Sequence, residues 1–243
     1  MINTKRLSSY GNTKMVAHMG AKGLEPENSL AAYIASGNRS FYGIETDVHI
    51  TRDKRVICIH DDSTKRTTGV DIKVEETDFD ELRALSLFDM DGVSTRVDLH
   101  MPSLEEYIGI CKKYGKVAVL ELKNRMADED VYMIYDIIDS MEYNDKTVYI
   151  SFAIDNLHAI RKKNPEQKVQ YLVGGKVIPD DLIDTLERYS YDLDIYSKIL
   201  TKELIDACHS IGREVNVYTV DDTALAESLV EMGIDYITSN IIE

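Results

Sequence analysis

The sequence predicts a closed (β/α)8 (TIM) barrel, from the number of its strand-like runs, their alternation with helices, and the ionisable residues that end them. The apolar runs begin near residues 15, 44, 117, 147, 168, 192, 214 and 234. Amphipathic stretches separate most of them, and eight alternations in about 240 residues are typical of a right-handed parallel barrel. A doubly wound open sheet is the competing architecture, but no Gly-x-Gly-x-x-Gly or Walker-type loop follows the first run.

Composition and charge fit one folded enzyme-sized unit. The chain has 243 residues, of which 44% are hydrophobic and 29% charged, so it can bury a sizeable core. We expect one barrel domain over residues 1–243. The formal net charge of −15 repels polyanions and argues against a nucleic-acid partner. A small anionic substrate would need a local cation, which favours a metal site.

The cysteines and the N-terminus indicate a cytoplasmic protein. Cys58, Cys111 and Cys208 match no zinc spacing, and their odd number argues against a disulfide framework. Residues 1–14 lack the apolar run of a signal peptide, and no window approaches 18 apolar residues. We therefore expect reduced, mostly buried thiols and no membrane span.

Capping residues mark two helices in the first half of the chain. Asn28 or Ser29 can cap a helix that stops at Gly37-Asn38, and Ser103 can cap another that stops at Gly115. Later helices are predicted near residues 129–141, 154–163, 180–189, 201–211 and 222–232.

The stretch from about 61 to 101 breaks this regular pattern. Thr64–Gly69 has turn chemistry, a short amphipathic helix is predicted near Phe79–Leu85, and the acids Glu75 and Glu76 are expected to be solvated. We interpret the stretch as an insertion after the second barrel strand, too small for a core of its own.

Carboxylates and histidines occupy strand positions that are usually apolar. Glu45 and Asp47 are two residues apart, so both project from one strand face and can converge on one cation. The next apolar run ends in His60, on the same predicted strand face as Val56 and Cys58. Acids at strand ends are often simply solvated, but here a metal and a proton carrier could be neighbours.

Two further runs end in the same way. Lys14–His18 ends in a histidine, and Val117–Lys123 ends with Glu121 and Lys123 on one face. Because barrels carry their chemistry at the carboxyl ends of the strands, these residues are predicted to meet at one mouth.

A series of short motifs runs along nearly the whole chain. They are His18-Met19-Gly20, Pro26-Glu27-Asn28-Ser29, Glu45-Thr46-Asp47-Val48, His60-Asp61, Arg66-Thr67-Thr68-Gly69, Pro102-Ser103-Leu104-Glu105-Glu106, Glu121-Leu122-Lys123, Val217-Tyr218-Thr219-Val220-Asp221 and Gly233-Ile234-Asp235-Tyr236-Ile237-Thr238-Ser239. Each motif is weak alone. In this order and spacing they resemble the glycerophosphodiester phosphodiesterases, TIM-barrel enzymes of the phospholipase-C-like superfamily.

The resemblance implies hydrolysis of glycerophosphodiesters to sn-glycerol 3-phosphate and an alcohol. It implies a divalent cation held by Glu45, Asp47 and Glu121, whose hard oxygen donors favour Mg²⁺ or Ca²⁺. It also implies that His18 and His60 form the acid/base pair, a task that imidazole suits near neutral pH.

The resemblance also covers residues around the phosphate and the substrate. Lys123 is implied to help the metal neutralise the phosphoryl group, and Phe152 matches a pocket-lining position. Tyr218 stands where the family usually has tryptophan and can still stack on a substrate. His49 shares the face of Glu45 and Asp47 and is expected at the surface or in a role supporting the ligands.

Met19 departs from the pattern, because most of the family has an arginine there that contacts phosphate. Methionine carries no charge, and Lys22, Arg52 or Lys123 would have to compensate without the planar guanidinium. An alternative is therefore a catalytically reduced barrel that binds phosphate or sugar phosphates. A metal-dependent aldolase or isomerase is a third interpretation, but it does not need two histidines at these positions.

Overall fold

Eight parallel strands close into a barrel in the computed structural model, which describes residues 3–243. They are β1 (Lys14–Ala17), β2 (Gly43–Ile50), β4 (Val117–Leu122), β5 (Thr147–Ser151), β6 (Val169–Val173), β7 (Asp192–Tyr196), β8 (Val215–Tyr218) and β9 (Tyr236–Ser239). The ring closes because β1 pairs in parallel with both β2 and β9. A further strand, β3 (Val56–Cys58), pairs antiparallel with β2. The predicted fold class is confirmed.

Helices connect the strands at nearly the predicted places. They are α1 (Leu30–Gly37), α2 (Lys65–Thr68), α3 (Phe79–Arg83), α4 (Leu104–Tyr114), α5 (Asp128–Ser140), α6 (Ile154–Lys163), α7 (Leu182–Tyr189), α8 (Lys202–Ser210) and α9 (Thr223–Glu231). Ser29 caps α1, Ser103 and Glu106 form a capping box on α4, and Gly115 ends α4 at φ 66°. Among residues 3–243, no helix has both the length and the apolarity needed to cross a membrane.

Strand alternation divides the apolar residues into two layers. Ile44, Leu120 and Leu193 belong to the main cluster that packs the strands against the helices. Inside the barrel lies a second cluster: Val16, Val119, Val148, Ile150, Leu172 and Tyr236. The three cysteines are buried and free, as expected.

The insertion has an apolar cluster of its own, so the expectation that it lacks a core is wrong. The buried members are Ile57, Ile59, Val74, Phe79, Leu82, Leu87, Leu99 and Met101. The cluster forms because β3 and the residue after it contribute Ile57 and Ile59 to the insertion. Its helix α3 ends at Arg83, two residues before the predicted end.

A polar layer closes the barrel at the amino ends of the strands. Lys168 Nζ donates to Glu214 and lies 2.9 Å from Tyr236 Oη, which donates to Glu214 Oε2 at 2.9 Å. Lys14 Nζ lies 3.1 Å from the same Tyr236 oxygen. Burial alone would raise the pKa of Glu214, but hydrogen bonding to Lys168 and Tyr236 outweighs it and lowers that pKa.

Candidate active site

Three carboxylates meet at the opposite mouth, at the carboxyl ends of β2 and β4. Strand register places Asp47 beside Glu121. One oxygen from each of Glu45, Asp47 and Glu121 lies within 4.8 Å of the other two, and all three side chains are buried. The two-residue spacing of Glu45 and Asp47 thus puts both acids inside the barrel, as the sequence predicted.

This gathering of like charges shifts the carboxyl pKa values. Burial, together with the charges of Asp47 and Glu121, raises the pKa of Glu45 well above its usual range. Burial and the Asp47 charge raise the pKa of Glu121 to about 8. Burial would also raise the pKa of Asp47, but Lys123 and His60 outweigh it and lower that pKa.

The donor set fits a hard divalent cation. Asp47 Oδ1 and Glu121 Oε1 are buried and accept no hydrogen bond from the described residues. Lys123 Nζ lies 3.4 Å from Asp47 Oδ1 and 2.7 Å from Glu121 Oε1, at ion-pair distance from both. One ammonium cannot balance three carboxylates, and oxygen donors at this spacing suit Mg²⁺ or Ca²⁺.

Groups from the segment after β1 orient two of the carboxylates. Met19 N–H donates to Glu45 Oε2 at 2.7 Å, and Asn28 Nδ2 donates to Asp47 Oδ2 at 2.8 Å. The sequence placed Asn28 in the motif Pro26-Glu27-Asn28-Ser29 and suggested a helix cap for it, a role that Ser29 fills. Asn28 therefore serves the carboxylate cluster.

His18 lies at this mouth, one residue beyond the end of β1. It opens a 3-10 turn, His18–Gly20, and its Nδ1 lies 2.7 Å from Asn240 Oδ1. Since the amide oxygen only accepts, Nδ1 carries the proton and Nε2 keeps its lone pair. Burial lowers the pKa of His18, although the bond to Asn240 opposes this. Asn240 gave no sequence signal, because it follows the last strand, 222 residues from His18.

His60 also lies at this mouth, but it does not end a strand. The prediction that it shares a strand face with Val56 and Cys58 is wrong, because β3 is a short hairpin partner of β2 and ends at Cys58. His60 Nδ1 lies 2.7 Å from Asp61 Oδ1. The charges of His60 and Asp47 both act on the pKa of His18, so these three groups lie at one mouth.

Asp61 links His60 to a second ion pair. Arg66 Nε donates to Asp61 Oδ2 at 2.7 Å, and two nitrogens of Arg66 donate to Glu27, each at 2.7 Å. Hydrogen bonding to Arg66 holds the pKa of Asp61 well below its usual range. Asp61 therefore stays ionised and holds the His60 ring in one tautomer.

Phe152 and Tyr218 form an aromatic pair at the same end of the barrel. Their rings meet edge to face, with centroids 6.3 Å apart and an interplanar angle of 84°. Phe152 directly follows β5 and is 49% exposed, so core packing does not account for it. Gly174 permits the arrangement, because a Cβ there would lie 2.9 Å from Tyr218 Oη.

The three cations predicted to compensate for Met19 differ in what they contact. Met19 itself is buried. Arg52 pairs with Asp78 at 2.8 Å and, within residues 3–243, forms no ion pair with a site carboxylate. Lys22 lines a cavity of about 250 Å³ beside Arg66 and Glu27, and its charge acts on His18. Lys22 and Lys123 are thus the two predicted substitutes that lie at the site.

Asp194 is a buried acid that the sequence did not single out. It lies on β7, its Oδ1 has no partner among the described residues, and burial and the charge of Glu121 raise its pKa well above the usual range. Nothing in its strand, Asp192–Tyr196, distinguishes it from solvated acids.

Comparisons with known proteins give a consistent result. The model of the glycerophosphoryl diester phosphodiesterase family matches residues 18–243. A glycerophosphodiester phosphodiesterase of Bacillus altitudinis is 27% identical over 234 residues, covering 92% of each chain. One of Caldanaerobacter subterraneus is 26% identical and covers 94% of each chain.

Solved structures agree with this result. An Oleispira antarctica phosphodiesterase in complex with its product sn-glycerol-3-phosphate is 26% identical, with a TM-score of 0.87 and coverage of 94% of this chain and 93% of that one. A glycerophosphodiester phosphodiesterase of Parabacteroides distasonis is 28% identical, with a TM-score of 0.79 and coverage of 96% and 94%.

Proposed function

Because the chain belongs to the glycerophosphoryl diester phosphodiesterase family, we propose that it hydrolyses glycerophosphodiesters to sn-glycerol 3-phosphate and an alcohol, with a divalent cation. The observation that carries this proposal is the cluster of three buried carboxylates with two histidines beside it. Three buried acids beside one lysine leave negative charge that protons, a cation or a bound substrate must balance.

Glu45, Asp47 and Glu121 would hold the cation, Mg²⁺ or Ca²⁺. When bound, it would neutralise negative charge on the phosphoryl oxygens. The Lys123 ammonium, already beside Asp47 and Glu121, adds a second positive charge on the same side.

The two histidines supply the proton transfers that cleavage requires. One group must take a proton from the attacking oxygen, of water or of the substrate's glycerol, and another must give one to the leaving alkoxide. If the glycerol oxygen attacks, water must open the resulting cyclic phosphate in a second step. His18, kept neutral by burial and with Nε2 free, is the proposed acceptor. His60, whose Nδ1 lies 2.7 Å from the ionised Asp61, is the proposed donor, because this contact fixes the orientation of its ring.

The aromatic pair gives the substrate a binding surface. Phe152 and Tyr218 present ring faces and edges at the mouth, where the glycerol of the diester would pack against them. The proposed ligand is therefore a small molecule.

The proposal is tested by glycerol 3-phosphate release from a panel of glycerophosphodiesters, measured with Mg²⁺, Ca²⁺ or a chelator. We expect metal-dependent release by the wild type and its loss in Glu45→Gln. Glu76→Gln is the control, since Glu76 is an exposed acid whose ion-pair partner is the surface residue Lys73. Release that a chelator leaves unchanged would overturn the metal dependence.

A binding-only barrel is the second candidate, and the buried, uncharged Met19 is the observation that favours it. In that case the wild type would bind sn-glycerol 3-phosphate but cleave no diester, and Met19→Arg would gain turnover. Turnover by the wild type would exclude this candidate.

A further inference from the structure

His49, on β2, is buried between two hydrogen-bond acceptors. Its Nδ1 lies 3.0 Å from Glu75 Oε1, and its Nε2 lies 3.3 Å from the carbonyl oxygen of His60. Both partners are hydrogen-bond acceptors, so the ring bridges the Glu75 carboxylate and the His60 carbonyl. The side chain is fully buried, so a surface position for His49 is wrong.

Glu75 extends this contact into the insertion. It lies in the 3-10 turn Val74–Glu76, and its Oε1 also accepts from Asn124 Nδ2 at 2.9 Å. The same amide donates to Asp62 Oδ1 at 3.0 Å. Glu75 was expected to be solvated. Its carboxylate is half-exposed, yet it links β2 and the insertion to Asn124, which lies two residues after the end of β4.

The His60 backbone depends on these contacts, because regular strand pairing stops before it. The last residue of β3 is Cys58, and Ile59 N–H donates to Asp47 O at 3.0 Å. At His60 the carbonyl contact with His49 replaces the sheet ladder. The next backbone hydrogen bond along the chain is at Asp62, whose carbonyl oxygen accepts from Val74 N–H at 2.9 Å.

We propose that His49 and Glu75 are positioning residues for His60. Neither needs to touch substrate; together they hold the His60 backbone so that its ring stays beside the carboxylate cluster. The insertion thereby contributes to catalysis through Glu75. This inference rests on the proposed function for the catalytic role of His60.

The expected effect falls on turnover and leaves substrate binding nearly unchanged. Groups that orient catalytic residues typically contribute about 10–100-fold to activity. We expect Glu75→Ala and His49→Phe each to lower kcat by about 10–100-fold with KM changed by less than about threefold. His49→Gln keeps an amide donor and should recover part of the loss.

Glu76→Ala is the matched control, because Glu76 is adjacent to Glu75, exposed, and paired with the surface residue Lys73. It should keep wild-type kcat. A drop in melting temperature with unchanged kcat in Glu75→Ala and His49→Phe would show a merely structural role and overturn the proposal.

A double-mutant cycle separates positioning from independent effects. If Glu75 acts through His60, then Glu75→Ala should lower kcat no further in a His60→Ala background. A full additional loss in that background would contradict the proposal.

One readout does not depend on turnover, so failure of the proposed function can be recognised separately. The imidazole ¹H–¹⁵N signals of His60, assigned through His60→Ala, should move in Glu75→Ala and stay in place in Glu76→Ala. If the wild type cleaves no diester but the signals move, positioning stands and the proposed function fails. If they do not move, positioning is overturned.

Discussion

The two mouths of the barrel both carry buried or half-buried charges, but they arrange them in opposite ways. At the amino ends, Lys14 and Lys168 surround Glu214 and share the hydroxyl of Tyr236. At the carboxyl ends, three carboxylates share the single ammonium of Lys123. The first arrangement lowers the pKa of its acid, whereas the second raises the pKa of Glu45 and Glu121.

This difference separates a layer that stabilises the fold from one that serves function. Opposite charges with shared hydrogen bonds support folding. Like charges gathered in a buried site destabilise it until a ligand balances them, which is typical of functional sites. Changes at the carboxyl mouth should therefore affect activity, and changes at the amino mouth should affect stability.

The largest expected effect is the loss of a proton carrier at the carboxyl mouth. His60→Ala should lower kcat by about 10²–10⁴-fold, the usual contribution of general acid–base catalysis. Its melting temperature should stay close to wild type, because His60 follows β3 and is partly exposed. Steady-state kinetics with circular-dichroism melts check both points, and kcat near wild type would remove His60 from the mechanism.

The second-largest expected effect comes from competition between protons and the cation for the carboxylates. The raised pKa of Glu121, about 8, means that the cation-free fold holds a proton that the unfolded chain releases above about pH 4.3. The cation-free protein should therefore lose stability as pH rises from about 4.3 to 8. Mg²⁺ must displace that proton, so its affinity should rise by up to about tenfold per pH unit over this range.

Calorimetric titration with Mg²⁺ at pH 6 and pH 8, in buffers of different ionisation enthalpy, measures both affinity and proton release. Equal affinity at the two pH values, without proton release, would contradict the raised carboxyl pKa.

At the amino mouth the expected effect is on stability. Glu214→Ala should lower the free energy of unfolding by about 1–3 kcal/mol, because it leaves Lys168 and Tyr236 without their acceptor. The lowered pKa makes this stabilisation present above about pH 4.3 and lost as pH falls below it. Urea denaturation at pH 7 and pH 4 checks it, with the exposed Glu187→Ala as control. A large loss of kcat would contradict the division between the mouths.

The smallest effect should come from the aromatic pair. Phe152→Ala removes a half-exposed ring at the carboxyl mouth and should raise KM by about two- to tenfold with kcat nearly unchanged. An unchanged KM across the substrate panel would place the glycerol elsewhere.

Local patterns account for most of what the sequence predicted correctly. The strand-like runs, the caps at Ser29 and Ser103, and the spacing of Glu45 and Asp47 are all read within a few residues. In a parallel barrel the carboxyl ends of the strands meet at one mouth. This places Glu121 beside Asp47, although they are 74 positions apart in the sequence. The predicted family and enzyme class are confirmed by the comparisons.

Contacts between distant segments were the part that could not be predicted. The partner of His18 is Asn240, and the partner of His49 lies in an insertion without regular periodicity. The insertion has an apolar cluster only because β3 pairs antiparallel with β2. This pairing cannot be predicted from the composition. The polar layer at the amino mouth could not be predicted either, because its members lie on, or directly before, four different strands.

The most direct test compares Glu45→Gln with Glu214→Ala by melting the proteins in chelator and assaying both variants with Mg²⁺ or Ca²⁺. We predict that Glu45→Gln melts close to the wild-type temperature, because the raised pKa favours the neutral Glu45 carboxyl in chelator and the amide oxygen of glutamine can still accept from Met19 N–H, while its phosphodiesterase activity is lost. Glu214→Ala should melt lower and stay active at temperatures where it is folded. The reverse pattern, or full activity in Glu45→Gln, would contradict the assignment of the carboxyl mouth as the metal-dependent site.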